Sequence, residues 1–270
     1  MTRGAKPVLE RVRVLGNERV AEGVGLIGLH APYTAAHVRP GQFVHLRVAS
    51  GADIILRRPF SVHRASGERV EILYQVLGEG TLRLAEKAAG DESMDLLGPL
   101  GHGWSVEPGI SRALLVAGGL GAAPLGMLAE ELAIAGIAVT VAQGAPCAER
   151  LVARELFEAV ARRVEVATDD CSAGTHGFVT AVTEPLLAAE RFDAVYCCGP
   201  EIMQRAVARQ ARDAGVPCQV SLERLMACGI GACLSCVVTT TSGLKRACVD
   251  GPVFDAEEVC WDDSEVPPRH

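Results

Sequence analysis

The chain has 270 residues, room for two domains and an appendage at the usual ~100–200 residues each, and long enough to fold without disulfides. A formal net charge of -7 and an aromatic share of only 4% argue against a nucleic-acid binder, which needs a basic field for phosphates and rings on which bases stack. Met1 to Arg13 lacks the apolar run of a secretory signal, and the longest apolar stretches fall short of the ~20 residues that span a bilayer. The sequence therefore predicts a cytoplasmic protein, whose ten cysteines read as metal ligands or buried thiols rather than disulfides.

Residues 1–106 read as β-rich. Short runs at Arg11–Val14, Gln42–Val48, Ile54–Leu56 and Val70–Val76 are divided by turns such as Arg39-Pro40-Gly41 and Ser66-Gly67-Glu68. Six or so such strands predict a small antiparallel barrel, with one helix between Thr81 and Ala89. Trp104–Ser111 reads as a linker. Over 107–217 strands alternate with helices: Ala113–Ala117, helix Leu125–Ala135, Ala138–Ala142, helix Glu149–Ala161, Val164–Thr168, helix Thr180–Ala189, Ala194–Cys198, helix Ile202–Ala214. That alternation predicts a doubly wound parallel sheet. From 218 to 270 the chain is rich in cysteine, glycine and threonine, too short for a core of its own without a staple, and its end from Asp262 reads as frayed. The fold class is thus multidomain: a β-barrel, a parallel α/β domain and a small cysteine-rich subdomain.

The most specific chemical signal is C-x4-C-x2-C-x11-C, formed by Cys228, Cys233, Cys236 and Cys248. This is plant-type 2Fe–2S spacing. Gly229 and Gly231 suit a loop that must turn backbone N–H groups toward cluster sulfurs. A structural zinc site is the alternative, although zinc usually takes paired C-x2-C knuckles or histidines and only one such pair is present. Most of the other cysteines, Cys198 excepted, read as ordinary buried thiols.

Three further constellations are weaker singly. Arg58-Pro59-Phe60-Ser61 ends a β-run, and an arginine fork there would suit a pyrophosphate. Gly80 and Thr81 open a helix after the strand Leu73-Tyr74-Gln75, offering N–H groups to phosphate or simply an N-cap. Gly118-Gly119-Leu120-Gly121-Ala122-Ala123-Pro124 joins a strand to a helix, the geometry that holds a nucleotide pyrophosphate, though a plain tight turn explains it nearly as well. Cys198-Gly199-Pro200 ends a strand at the sheet edge where α/β folds bind ligands.

Together these residues resemble the ferredoxin–NADP reductase superfamily, and within it the electron transfer subunits of class 1B dihydroorotate dehydrogenases. The likeness runs from about Val8 to Phe254 and is most specific over Ser221–Cys236 and Cys248–Phe254. It implies FAD held by Arg58, Pro59, Phe60, Ser61, Leu73, Tyr74, Gln75, Gly80 and Thr81. It also implies NAD entering over Gly118, Gly119, Gly121, Pro124, Gly199 and Pro200, with Cys198 as the catalytic-site cysteine beside the nicotinamide. The implied partner is a catalytic subunit holding FMN, two of each forming a heterotetramer. At Cys171 the sequence departs from such relatives, which commonly carry glycine. Asp169 and Asp170 would disfavour a 2′-phosphate if they face the ribose; a surface turn is the other reading. The same motifs would serve a sulfhydrogenase subunit or a bifurcating ferredoxin–NADP oxidoreductase, and a non-catalytic zinc-stapled module is the alternative from another class.

Overall fold

The structure, a computed structural model, describes residues 5–48 and 54–262. The residues after Asp262, where fraying is expected, lie outside the described residues.

The N-terminal part contains β1 (Val8–Ala21), β2 (Val24–His30), α1 (Pro32–His37), β3 (Phe43–Arg47), β4 (Arg58–Ser61), β5 (Arg64–Ser66), β6 (Arg69–Gln75), α2 (Glu79–Ala85) and β7 (Met94–Leu100). Its strands form a seven-stranded antiparallel sheet in the order β4-β3-β7-β1-β2-β6-β5. The long β1 makes this possible. Val8–Val12 pairs with β7 and Arg13–Ala21 with β2, with register shifts after Val14 and Arg19. Such irregularities bend a strand and increase its twist, so one strand serves both halves of a curled sheet. Inside it lie Val14, Ile27, Leu46, Ile72 and Leu96. No strand forms at Ile54–Leu56. There Ile54 is buried while Ile55 and Leu56 face outward, the triplet having no partner strand.

The second sheet contains β8 (Arg112–Gly118), β9 (Ala138–Ala145), β10 (Arg163–Thr168), β11 (Thr175–His176), β12 (Ala194–Cys198) and β13 (Cys218–Ser221), with the connecting helices α3 (Gly126–Ile134), α4 (Arg154–Val160), α5 (Thr180–Ala189) and α6 (Glu201–Asp213). The strand order is β11-β10-β9-β8-β12-β13-β16, parallel throughout except β16 (Val253–Asp255), which runs antiparallel to β13. β8 is covered on both faces, hence its unbroken apolar run. Strand β13, grouped by sequence with the C-terminal segment, pairs with β12 and lies inside this sheet. A helix predicted over Glu149–Ala161 is shorter: a 3-10 turn at Ala148–Arg150 precedes α4, with Ala153 left-handed between them. The Val152 carbonyl accepts from Gln143 Nε2 at 2.6 Å, which diverts it from a helical ladder.

The parts share their cores. Leu73 and Trp104 join Leu115, Leu128 and Tyr196 on one face of the parallel sheet. On the other face, Phe43 and Leu100 of the barrel join Val116, Leu186, Val207, Cys236 and Cys248. The linker is itself packed: Trp104 donates Nε1–H to the Pro124 carbonyl at 2.9 Å, and Tyr196 donates its hydroxyl to the Ser105 carbonyl at 3.1 Å. Beyond β13 come the hairpin β14 (Val237–Thr240) and β15 (Gly243–Arg246), and the chain returns past the barrel, where His102 N–H donates to the Gly251 carbonyl at 2.6 Å.

Candidate flavin, nicotinamide and cluster sites

The barrel motifs meet at one place. A Cβ on Gly80 would lie 2.9 Å from Arg58 Nε, so the guanidinium rests on the first turn of α2 in space a side chain would fill. Arg58 Nη1 also donates to the Leu56 carbonyl. A planar cation above a helix start is a cradle that fits a pyrophosphate. Alternation along β6 separates its three predicted residues. Tyr74 points into the barrel, its hydroxyl donating to Asn17 Oδ1 at 2.8 Å and its ring meeting Phe60 edge-on at 6.5 Å. Leu73 points instead into the core shared with the parallel sheet, while Gln75 is only half-buried. The Thr81 hydroxyl accepts from Leu77 N–H at 2.9 Å and Gly78 N–H at 3.2 Å, so it caps α2. Pro59 and Ser61 are half-buried on β4.

Two glycine turns interlock at the C-terminal edge of the parallel sheet. Ala117 and Cys198 are paired across β8 and β12. A Cβ on Gly121 would come within 2.1 Å of the Cys198 carbonyl oxygen, and one on Gly118 within 2.9 Å of Pro200 Cδ and of 2.4 Å of Met203 Sδ. Gly199 packs against Gly118 in turn. Gly119 faces open space, with nothing within 4 Å of a Cβ built there. The contact between the turns therefore needs glycine, and one face of the first turn stays free for a ligand's backbone approach. Pro124 is buried in the 3-10 turn Gly119–Leu125. Cys198 is 3% exposed, and burial followed by the Glu223 carboxylate pushes its thiol up to about 12. It is a neutral thiol at neutral pH.

The end of β10 carries Asp169 and Asp170. Asp170 accepts from Ser172 N–H at 2.9 Å and from its hydroxyl at 2.6 Å, bonds that hold its carboxyl below the usual range. Asp170 is thus committed to the turn, while the Asp169 side chain is exposed. Cys171 has φ +66°, the left-handed conformation in which glycine is the easy residue. A cavity of ≈ 220 Å³ lined by Arg112, Thr140, Arg163 and Glu190 lies at the opposite edge of the sheet, away from every motif.

The cysteine loop shows why its spacing is what it is. Gly229 and Gly231, with φ of +71° and +82°, turn the chain inward between Cys228 and Cys233. Cys233 N–H points at Cys228 Sγ, 3.4 Å away. The long C-x11-C gap is the hairpin: Val237 pairs with Arg246, and Ala247 N–H donates to the Cys236 carbonyl at 2.9 Å, placing Cys236 beside Cys248. The Ser235 hydroxyl and backbone lower the Cys233 thiol to about 6, whereas burial and the Cys236 thiol raise Cys248. Cys233 lies beside Cys228, and Cys248 beside Cys236, so the loop and the hairpin bring the four predicted ligands into one region.

One residue near this loop carries no motif. His45, on β3, is fully buried, and its Nδ1 lies 2.7 Å from where a Gly229 Cβ would stand. Burial first, then Arg57, lower its pKa to about 4, partly offset by the Cys228 backbone. Only the tertiary packing of loop on barrel reveals it.

Residues 223–260 match the iron–sulfur cluster binding domain of dihydroorotate dehydrogenase B, a span holding all four cysteines. The dihydroorotate dehydrogenase B (NAD(+)) electron transfer subunit of Geobacillus kaustophilus is 41% identical over 257 residues, covering 93% of this chain and 98% of that protein. The chain belongs to the family of dihydroorotate dehydrogenase B electron transfer subunits. The Desulforamulus reducens member of this family is 38% identical over 256 residues, covering 93% of this chain and 97% of its own. A solved chain of an NADH-dependent reduced ferredoxin–NADP oxidoreductase, described for flavin-based electron bifurcation, superposes with a TM-score of 0.85 at 34% identity, over 97% of this chain and 92% of its own. The ferredoxin reductase of carbazole 1,9a-dioxygenase shares the fold at 20% identity, with a TM-score of 0.64, over 78% of this chain and 67% of its own. The family's barrel, parallel nucleotide-binding sheet and C-terminal iron–sulfur segment are the architecture found here.

Proposed function

We propose that the chain is the electron transfer subunit of an NAD-dependent dihydroorotate dehydrogenase, linking a catalytic partner that holds FMN to NAD in pyrimidine biosynthesis. The observation that carries this reading is the paired cysteine loop seated on a flavin-type barrel, in a chain of this family. Bound FAD supplies the exchange between two-electron hydride chemistry at a nicotinamide and the single electrons of a 2Fe–2S cluster. Arg58 and the first turn of α2 hold the FAD pyrophosphate, with Pro59, Phe60 and Ser61 lining the adjoining strand. Leu73, Gln75 and the backbone at Tyr74 form the neighbouring wall, and Thr81 keeps α2's start in shape. Gly118, Gly119, Gly121, Pro124, Gly199 and Pro200 shape the NAD entry, and Cys198 contributes a neutral thiol beside the nicotinamide. Cys228, Cys233, Cys236 and Cys248 hold the cluster.

The chain by itself does not oxidise dihydroorotate; that site belongs to the partner, in a heterotetramer of two copies of each subunit in the cytoplasm. Among the described residues no helix is long and apolar enough to cross a membrane. Residues 1–106, 107–217 and 218–270 serve as flavin, nucleotide and cluster units, the last also lending β13 and β16 to the nucleotide sheet. A second reading, as an NAD(P)-binding subunit of a bifurcating ferredoxin–NADP oxidoreductase, is favoured by the 34% identical solved chain. The deciding experiment is purification with an FMN-containing partner and assay of NAD reduction. Turnover with dihydroorotate supports the first reading; turnover only with reduced ferredoxin transfers the chain to the second. A colourless, zinc-containing protein would defeat both.

A further inference from the structure

The buried imidazole of His45 is an anomaly that the flavin and nucleotide motifs do not use. It is 0% exposed, yet among the described residues neither Nδ1 nor Nε2 has a hydrogen-bond partner. Buried polar groups are nearly always paired, and the group that approaches this ring, short of a well-formed bond, is the Cys228 backbone. Strand β3 lies between β4 and β7, with His45 paired to Pro59 of the flavin motif on one side and to Leu97 on the other. The ring leaves that strand toward the cysteine loop, where Nδ1 would stand 2.7 Å from a Gly229 Cβ and the Cβ position is also 3.2 Å from ring carbons Cγ and Cε1. Gly229 is thereby constrained twice, by its left-handed φ of +71° and by the imidazole packed on it. Arg57 fixes the strand at this point, donating Nη1–H to the His45 carbonyl at 3.3 Å while its Nη2 pairs with Asp95 at 2.5 Å. The imidazole is thus the side chain that joins the flavin strand to the first cysteine ligand's turn.

We propose that His45 is a positioning residue for the 2Fe–2S centre: its Nδ1–H is the donor directed at the Cys228–Gly229 turn, seating that turn against the flavin strand and stabilising the reduced cluster. The inference rests on the cluster reading given above. An N–H dipole whose positive end faces the ligand turn lowers the energy of the more negative, reduced state, in the same sense as the hydrogen bonds to sulfur by which proteins set cluster potentials. Removing the donor while keeping the volume should then favour the oxidised form, with no change in the ligand set.

Leucine and asparagine have nearly the same shape but differ in polarity, and the asparagine amide reaches the Nδ1 position. The test uses the full chain, reconstituted with iron, sulfide and FAD, as wild type, His45→Leu, His45→Asn and His45→Gln. The readout is the cluster's midpoint potential from a titration followed by the electron paramagnetic resonance signal, with iron and flavin content measured on the same samples. The expected result for His45→Leu is a threefold or greater shift of the oxidised-to-reduced ratio toward oxidised, on a scale where tenfold is ~59 mV for one electron. His45→Asn should stay within about twofold of wild type. His45→Gln, whose amide sits at the Nε2 position, should follow His45→Leu, and it decides the question should the leucine chain lose iron. Equal potentials in all four chains, or equal shifts for asparagine and leucine, would overturn the assignment. Absence of any 2Fe–2S signal in the wild type would instead defeat the cluster reading on which it rests.

Discussion

At the residue scale, the site is built from close approaches that tolerate no substitution and from thiols held in different states. Gly121→Ala would drive a Cβ to 2.1 Å from the Cys198 carbonyl, and backbone cannot yield as a side-chain tip can. We expect a loss of about 1–3 kcal/mol in stability, as overpacking gives, together with a raised KM for NADH; chemical denaturation and NADH-dependent dye reduction measure the two. Arg58→Ala leaves the barrel core untouched but removes the cation over α2. The purified variant should carry less FAD per chain, read from the visible spectrum after gel filtration, while the flavin-free chains of variant and wild type melt at the same temperature. Cys233 is exposed and outside the buried core, so Cys233→Ser should remove the iron–sulfur absorbance while FAD stays bound. Loss of FAD and fold together in that variant would make the loop chiefly a structural staple.

At the element scale, junctions between elements decide how the parts hold together. The segment after β4 carries His63, whose Nδ1 lies 3.1 Å from the Ala123 carbonyl in the 3-10 turn of the nucleotide domain, while its carbonyl accepts Met127 N–H at 3.1 Å. Burial lowers its pKa from 6.5, outweighing the Ala123 carbonyl. Its folded pKa lies below the unfolded one, so its contribution to stability is present above pH 6.5 and is lost as pH falls through the folded value. The melting temperature of the wild type should therefore fall between pH 7 and pH 5 more steeply than that of His63→Gln, in a scan with flavin present. The hairpin β14–β15 shows the same dependence on junctions. Its register, Val237 with Arg246, closes Cys236 onto Cys248, and a residue inserted on one strand would slip that pairing and separate the two thiols.

At the scale of the whole molecule, the cluster loop sits at the surface with apolar side chains around it: Ile230 and Leu234 within the loop, and Leu225 just before it, are all exposed. Water gains nothing from covering such residues, and a partner that buries them does. Leu234→Asp should weaken association with the catalytic partner subunit by tenfold or more while leaving FAD and iron content unchanged, as gel filtration of the mixed subunits and metal analysis would record. An unchanged association would place the docking surface elsewhere. The shared cores make the chain behave as one body, since Phe43, Val116 and Cys248 belong to one buried cluster across all three segments.

By itself the sequence determined the family and the chemistry. The C-x4-C-x2-C-x11-C spacing, the Arg58–Ser61 and Gly118–Pro124 motifs and the strand–helix alternation are local patterns, written in neighbouring residues and readable without coordinates. Helix ends are less legible: α4 starts late, after the Val152 carbonyl is taken by Gln143, nine residues earlier on β9, and Ile54–Leu56 stays out of the sheet. What only the tertiary structure decided is long-range by nature. It put β13 in the parallel sheet, packed Gly121 on Cys198, turned Tyr74 into the barrel while Leu73 faces the other domain, and laid His45 beneath the first cysteine. No periodicity encodes these, because each depends on which surfaces meet once the three segments have closed on common cores.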